Sequence, residues 1–251
     1  MDFVKMEGLG NDFIVLRGPA RVTADDVAAW CDRRRGVGAD GVLVVTPMDE
    51  ATVRMEYWNA DGSPAEMCGN GLRCVALLAR SSGMVGADTF TVETAVGARQ
   101  AEVRGDGTVR VELGPVADPG GEDLDLAGLT LTAVSVGNPH AVAIVDDPHT
   151  VPVEAVGPIV EGDPHFPERT NVEFAAVHAR DRIELRVWER GVGETLACGS
   201  GAAASVAVAH ARGLTDAVVT VVLPGGELQV EIVDGSAWIT GPARAVFEGS
   251  L

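Results

Sequence analysis

One motif occurs twice in this chain, and its spacing limits the possible folds more than any other feature. NADGSPAEMCGNGLRC (Asn59–Cys74) and ERGVGETLACGSGAAA (Glu189–Ala204) both contain Cys-Gly-X-Gly, with Cys68 and Cys198 standing 130 residues apart. Trp58 and Trp188 have the same separation, as do Gly83 and Gly213, and VLVVTP (Val42–Pro47) overlays VEFAAV (Val172–Val177) with it. Gly10-Asn11 and Gly137-Asn138 correspond at 127, as do Gly114-Pro115 and Gly241-Pro242, a drift that small insertions explain. An ordered series across both halves points to an internal duplication, so the chain is expected to fold as two similar lobes.

The local pattern of each half agrees. In the first, β-branched or alternating runs bounded by Gly, Pro, Asp and Asn predict strands at 3–5, 12–16, 41–45, 53–58, 89–94, 99–103 and 108–113. Helices are predicted at 23–34, opened by a Thr cap, and at 70–81, with Leu72, Val75, Ala76 and Ala79 on one face. In the second half, strands at 130–136, 141–145, 171–177, 182–190, 217–223, 228–233 and 237–240 surround a helix at 199–212. ADPGGEDLDLAG (Ala117–Gly128) reads as a solvated linker. The expected fold is α+β: two pseudo-symmetric lobes, 1–118 and 119–251, each a curved, mostly antiparallel sheet around a central helix. The strand after about residue 241 returns to the first lobe, and the active-site cleft lies between the lobes.

Composition narrows the chemistry. The chain has 251 residues, 46% of them hydrophobic, enough for a substantial core. A formal net charge of -18 repels phosphate polymers and anionic lipid, so neither nucleic acid nor membrane is an expected partner. No apolar run approaches a bilayer span and the N-terminal residues lack a secretory pattern, so a cytoplasmic protein is expected. In that compartment Cys31, Cys68, Cys74 and Cys198 stay as thiols. The spacing of Cys68 and Cys74 does not suit zinc, and no metal is expected.

Any one cysteine is most simply a buried packing residue, and Cys31 and Cys74 are read that way. Cys68 and Cys198 differ because their motif recurs in register. Each precedes a helix whose first residues include small glycines (Gly69 and Gly71; Gly199 and Gly201). A helix N-terminus stabilises a thiolate and can hold a carboxylate through its N–H groups. Two such thiols on opposite sides of one carbon can invert it: one as thiolate removes the α-hydrogen and the other returns a proton to the far face, without a cofactor.

GLGNDF, GVGADG (Gly36–Gly41), NADGSPAEMCGNGLRC, VGNPHAV, FPERTNVEF and ERGVGETLACGSG, in that order, resemble the diaminopimelate epimerases, which are pyridoxal-independent amino-acid epimerases. The resemblance runs from the first strand to Gly241. It implies that Cys68 and Cys198 are the two bases, and that Gly69, Asn70, Gly199 and Ser200 bind the carboxylate at the reacting centre. Asn11, Asn59, Asn138, Asn171, Glu189 and Arg190 would hold the rest of the substrate. It also implies a homodimer, no cofactor, and a place in lysine and peptidoglycan synthesis.

The charge pair has a physical rationale, since a substrate with an amino-acid group at each end needs a cation and an anion at the end that does not react. Neighbours on a strand face opposite ways, so both can serve one pocket only if Gly191-Val192-Gly193 bends the chain. His140 either tunes the thiols electrostatically or caps a strand end, and Glu189 is a second tuning candidate. His149, His165, His178 and His210 read as loop or surface residues without carboxylate partners. GVGADG reads as a turn, since it has the wrong order of elements for a dinucleotide site. An epimerase of another amino acid and a non-catalytic amino-acid-binding protein are the rival readings. A thiol redox protein is disfavoured because Cys-X-X-Cys is absent.

Overall fold

In the computed structural model, which describes residues 1–251, the first hairpin joins β1 (Asp2–Gly8) to β2 (Asn11–Arg17) through Leu9 and Gly10, at φ 56° and 85°. Two consecutive positive φ angles give a two-residue turn whose twist matches its strands. Its consequence is that Asn11 becomes the first residue of β2. Glu7 accepts from the Gly10 N–H at 2.9 Å and steadies the turn. The chain continues through α1 (Ala24–Cys31), β3 (Gly41–Asp49), β4 (Thr52–Asn59), β5 (Pro64–Ala65), α2 (Gly69–Ser81), β6 (Thr89–Thr94), β7 (Gly97–Val103) and β8 (Thr108–Pro115).

A short strand β9 (Asp123–Leu126) follows, and then the same series recurs: β10 (Leu129–Ser135), β11 (Pro139–Ile144), α3 (Val153–Glu161), β12 (Asn171–Ala179), β13 (Arg182–Glu189), β14 (Gly193–Thr195), α4 (Gly199–Ala211), β15 (Val218–Leu223), β16 (Gly226–Val233) and β17 (Ser236–Pro242). A last strand, β18 (Arg244–Ser250), follows. Two compact units result, Met1–Val111 with Gly241–Leu251, and Glu112–Thr240.

The duplication holds at the level of strand register. Parallel pairing of Phe13 with Gly41 recurs as His140 with Asn171, antiparallel Leu43 with Tyr57 as Glu173 with Val187, and Trp58 with Pro64 as Trp188 with Glu194. The twin helices end alike. Gly83 and Gly213 have φ 74° and 72°, and the next N–H returns to Ala79 O or Ala209 O at 2.9 Å, the glycine-dependent stop of a helix. The expected α+β architecture of two repeated, sheet-rich lobes is the one observed. In each unit the helix that follows the Cys-Gly motif is buried over most of its length, so its N-terminus is held by packing on several sides.

Several local expectations are corrected. α1 stops at Cys31, not Arg34, because the Asp32 carboxylate accepts from the N–H groups of Arg34 (2.7 Å) and Arg35 (3.0 Å) and turns the chain. The segment read as a linker contains β9, which pairs antiparallel with β10. Helix α3 was not anticipated, since Gly157 and Pro158 both argue against a helix. Tertiary packing overrides that preference: a Cβ on Gly157 would lie 2.4 Å from Trp188 Cγ, so the glycine makes room for the indole, whose Nε1 donates to Glu161 at 2.7 Å. The strand read after about residue 241 corresponds to β18, which pairs antiparallel with β1.

Candidate active site

In the first unit Cys68 is the N-cap residue of α2, in extended conformation (φ -136°, ψ 125°), reached through the short strand β5. Its Sγ donates to Asn11 Oδ1 at 3.4 Å, and Asn70 Nδ2 donates to the same oxygen at 3.3 Å. Asn11 Nδ2 in turn donates to Asp40 Oδ2 at 2.8 Å. Behind Asp40 stands a charged cluster. Arg33 bridges Asp12 (2.7 Å) and Asp40 (2.6 Å), while the buried Lys5 pairs with Asp12 at 2.5 Å and donates to Gly38 O. Burial pushes the Asp12 carboxyl up, but hydrogen bonds from Arg33 and Lys5 outweigh it and hold it down at about 2.

Arg73 is fully buried one turn into α2. It donates to Asn70 Oδ1 (2.8 Å), Gly69 O (3.4 Å) and Pro242 O (3.2 Å), tying the start of the helix to the end of β17. Asn59 is placed differently from Asn11 and Asn70. Its amide donates to Ser63 Oγ at 3.0 Å within the turn from β4 to β5.

In the second unit Cys198 caps α4 in the same way (φ -121°, ψ 111°), but its surroundings differ. The Gly201 N–H donates to its sulfur at 3.4 Å, and Ser200 Oγ lies 3.5 Å from it. Asn138 Nδ2 donates to Ser200 Oγ at 3.5 Å, and Asn138 Oδ1 faces His140 Nε2 at 2.9 Å. The other ring nitrogen of His140 meets Glu173 Oε1 at 2.7 Å, with both residues fully buried. Burial, then the negative charges of Glu189 and Glu173, push the Cys198 thiol well above its ordinary range, while Ser200 and Gly201 pull it back.

Glu189 and Arg190 lie at the end of β13. Gly191 (φ 76°) and Gly193 (φ 115°) form the bend expected after them, closed by Val192 N–H to Glu189 O at 3.1 Å. The Glu189 carboxylate accepts from Thr195 Oγ1 at 2.5 Å; burial raises its pKa, and the Thr195 bond opposes the shift. Asn171 spans the neighbouring backbone, donating to Pro139 O (2.9 Å) and accepting from Arg190 N–H (3.0 Å). The Arg190 guanidinium is exposed and donates to Glu168 O at 3.1 Å. Glu161 of α3 supports the bend through Gly191 N–H and Arg169.

The first unit thus gathers Asn11, Cys68, Gly69 and Asn70, and the second gathers Asn138, His140, Cys198, Gly199 and Ser200 beside Glu189. Supports escaped the sequence reading: Lys5, Asp12, Arg33 and Asp40, then the buried Arg73, Glu161 and Glu173. A signal existed for two of them, since Glu173 interrupts an apolar strand and Arg73 an apolar helix face. The histidine reading is corrected in its partners: His149 and His178, both exposed, share the Glu184 carboxylate at 2.8 Å each, while His210 is exposed near the end of α4. Burial pushes Cys31 up to about 11 and Cys74 up to about 12, as suits packing residues. A groove of about 360 Å³ along β4 to β6, lined by Arg54, Tyr57, Trp58 and Glu93 among others, contains none of the predicted site residues.

The family model for diaminopimelate epimerase matches residues 3–117 and again 132–246. The chain belongs to the diaminopimelate epimerase family. The two matches to one model restate the duplication read from the paired cysteines. Among curated members of the family, the diaminopimelate epimerase of Moorella thermoacetica is 42% identical over 276 residues, covering 100% of this chain and 99% of its own. That of Halorhodospira halophila is 44% identical over 278 residues, covering 100% and 95%. Among solved structures, a hydroxyproline epimerase from Agrobacterium vitis with bound trans-4-hydroxy-L-proline superposes with a TM-score of 0.74 over 99% of this chain and 91% of its own. At 18% identity, that likeness concerns the fold.

Proposed function

We propose that this protein is an isomerase that interconverts LL- and meso-2,6-diaminopimelate without a cofactor, supplying lysine and peptidoglycan synthesis. The observation that carries the reading is the pair of Cys-Gly-X-Gly helix starts, one in each repeat of a chain that matches this family over its whole length. In one direction a thiolate removes the α-hydrogen as a proton, leaving a planar carbanion conjugated with the carboxylate. The second thiol gives its proton to the opposite face, so the C–H bond broken on one side is replaced on the other and the two sulfurs exchange protonation states. Inversion requires the sulfurs of Cys68 and Cys198 to reach opposite faces of that carbon.

The helix-start residues Gly69, Asn70, Gly199 and Ser200 hold the reacting carboxylate, and the helix dipoles stabilise the charge that spreads onto it. Asn11, Asn59, Asn138 and Asn171 give directional hydrogen bonds to the rest of the substrate, Glu189 takes the distal ammonium and Arg190 the distal carboxylate. His140 and Glu189 tune the thiols. A cytoplasmic homodimer that binds neither nucleic acid nor membrane completes the reading, supported by the net charge of -18.

Turnover of LL-diaminopimelate in deuterium oxide tests it. Solvent deuterium should enter the α-position, and Cys68→Ala and Cys198→Ala should each abolish inversion. Tight binding without exchange would leave a binding protein, and exchange with other amino acids but not with diaminopimelate would move the substrate assignment.

A further inference from the structure

The duplication lets one half of the molecule serve as a control for the other. In the first unit Gly71, in the opening turn of α2, lies over an apolar floor: a Cβ there would stand 3.3 Å from Leu43 Cδ1 and 3.5 Å from Phe13 Cζ. In the second unit the equivalent Gly201 lies over a charged one, with 2.7 Å to Glu173 Oε1. His140 and Glu173 occupy the strand positions of Phe13 and Leu43 in the same register. A hydrophobic pair beneath one cysteine is therefore a buried carboxylate and imidazole beneath the other. Packing alone would favour the hydrophobic version, because a buried charged pair must overcome a large desolvation penalty. Moreover Glu173 Oε2 has no hydrogen-bond partner, a cost that calls for a reason.

The direction of the hydrogen bonds supplies that reason. His140 Nε2 faces a carbonyl oxygen, Asn138 Oδ1, and so must bear hydrogen. A neutral imidazole beside an ionised Glu173 would carry its one hydrogen on Nδ1 and turn a lone pair toward Asn138. The observed contacts therefore require the pair to hold one more proton than that, shared between Nδ1 and Oε1. With its oxygen committed to His140, the Asn138 amide presents its NH2 group to Ser200 Oγ. Ser200 accepts there and is left to donate its own hydrogen to the Cys198 sulfur, which also receives the Gly201 N–H.

We propose that Glu173 is a positioning residue for the reaction: by keeping hydrogen on His140 Nε2, it orients Asn138 and Ser200 so that the chain ends in a donor aimed at Cys198. The inference rests on the proposed role of Cys198 as a base. The polarity is opposite at the other sulfur, where the Asn11 oxygen accepts from the Cys68 thiol. The repeat thus gives the two sulfurs different partners: the Cys68 thiol donates to Asn11, whereas Cys198 receives the Gly201 N–H and faces the Ser200 hydroxyl, which offsets part of the rise that burial and the nearby carboxylates impose on it.

The titratable groups around Cys198 are His140 on β11, Glu173 on β12 and Glu189 on β13, and the test separates their effects by sign. In a Cys68→Ala background, the pH dependence of Cys198 alkylation, followed by peptide mass and so resolved from Cys31 and Cys74, reports the Cys198 thiolate, whose titration burial and the nearby carboxylates place well above the ordinary thiol range. Glu173→Gln should move that titration upward by about one pH unit, a tenfold loss of thiolate at fixed pH. Simple removal of a neighbouring negative charge would move it downward instead, and a purely structural role would leave it in place; either result overturns the proposal. Ser200→Ala should give the same upward shift, with Glu173→Gln adding nothing to it; additive shifts would also overturn it. Nitrogen-15 spectra of the wild-type histidine rings remain decisive even if Glu173→Gln does not fold. Hydrogen on His140 Nε2 is expected, and a bare Nε2 refutes the chain. None of these readings needs turnover, so they stand apart from the deuterium experiment that tests the epimerase reading.

Discussion

The carboxamide of Asn11 turns its oxygen to the Cys68 sulfur, 3.4 Å away, while its nitrogen is held 2.8 Å from Asp40. A carboxylate accepts and does not donate, so Asp40 selects which end of the amide meets the thiol. Arg33, bonded to both Asp40 and Asp12, keeps that carboxylate in place. The residue that orients the site thus lies in the GVGADG turn, in contact with neither sulfur in any of these bonds.

Asp40→Ala should therefore lower kcat by about tenfold, the loss expected when one hydrogen bond of about 1.4 kcal/mol ceases to direct the amide. KM should change much less. Steady-state kinetics beside a melting curve check this, and an unchanged kcat in a folded variant would remove Asp40 from the site.

The same cluster should leave a mark on acid stability. Asp12 is held at about 2 against an ordinary 3.8, so its ion pairs stabilise the fold above the unfolded value and the benefit is lost as pH falls from about 4 through about 2. The shift corresponds to about 2 kcal/mol. Asp12→Asn should flatten the fall in urea midpoint over that interval while lowering stability at neutral pH.

Equivalent glycines should respond differently to the same substitution. Gly201→Ala would press a methyl group to 2.7 Å from Glu173 Oε1 and 3.4 Å from Cys198 Cβ, whereas Gly71→Ala meets the tips of Leu43 at 3.3 Å. Overpacking should cost Gly201→Ala about 1 to 3 kcal/mol and most of its activity. In Gly71→Ala the gain of about 1 kcal/mol in helix propensity offsets much of the strain. Calorimetry of the two variants gives the comparison directly.

Thr195 opposes the rise in the pKa of Glu189 that burial causes. Glu189 must be ionised to hold an ammonium, so activity falls as pH drops through its titration. Thr195→Val removes the opposing hydrogen bond, and the acidic limb of the rate profile should move to higher pH. A limb that stays in place would mean that Glu189 does not govern it.

Brief alkylation at mildly alkaline pH should modify Cys68 first, because it is half-buried while Cys31, Cys74 and Cys198 are buried. Loss of activity should track the modification of Cys68 alone when followed by peptide mass, with Cys31 and Cys74 left as thiols.

Much of this was legible in the residues. Repetition at a fixed spacing is a property of the chain itself, so two lobes and two matched helix starts could be read before any coordinates. Local chemistry was equally readable at the glycine bend after Arg190. Helix α3 was not, because its stability comes from the Trp188 indole lying on Gly157, a contact that outweighs the poor helix propensity of Gly157 and Pro158. The register of the terminal strand β18 was not, since its partner β1 stands at the other end of the sequence.

The sequence by itself determined that the protein is a duplicated α+β chain with a cysteine at the head of one buried helix in each repeat. Periodicity, glycine placement and motif order are local quantities that need no knowledge of distant neighbours. Only the tertiary structure decided that the two cysteines are unlike: one gives its hydrogen to an asparagine oxygen over a hydrophobic floor, and the other receives hydrogens above a buried Glu173 and His140. That difference depends on which charges are removed from water together, and burial is settled by residues such as Glu173 and His140, far along the chain from Cys198, not by the motif around the sulfur.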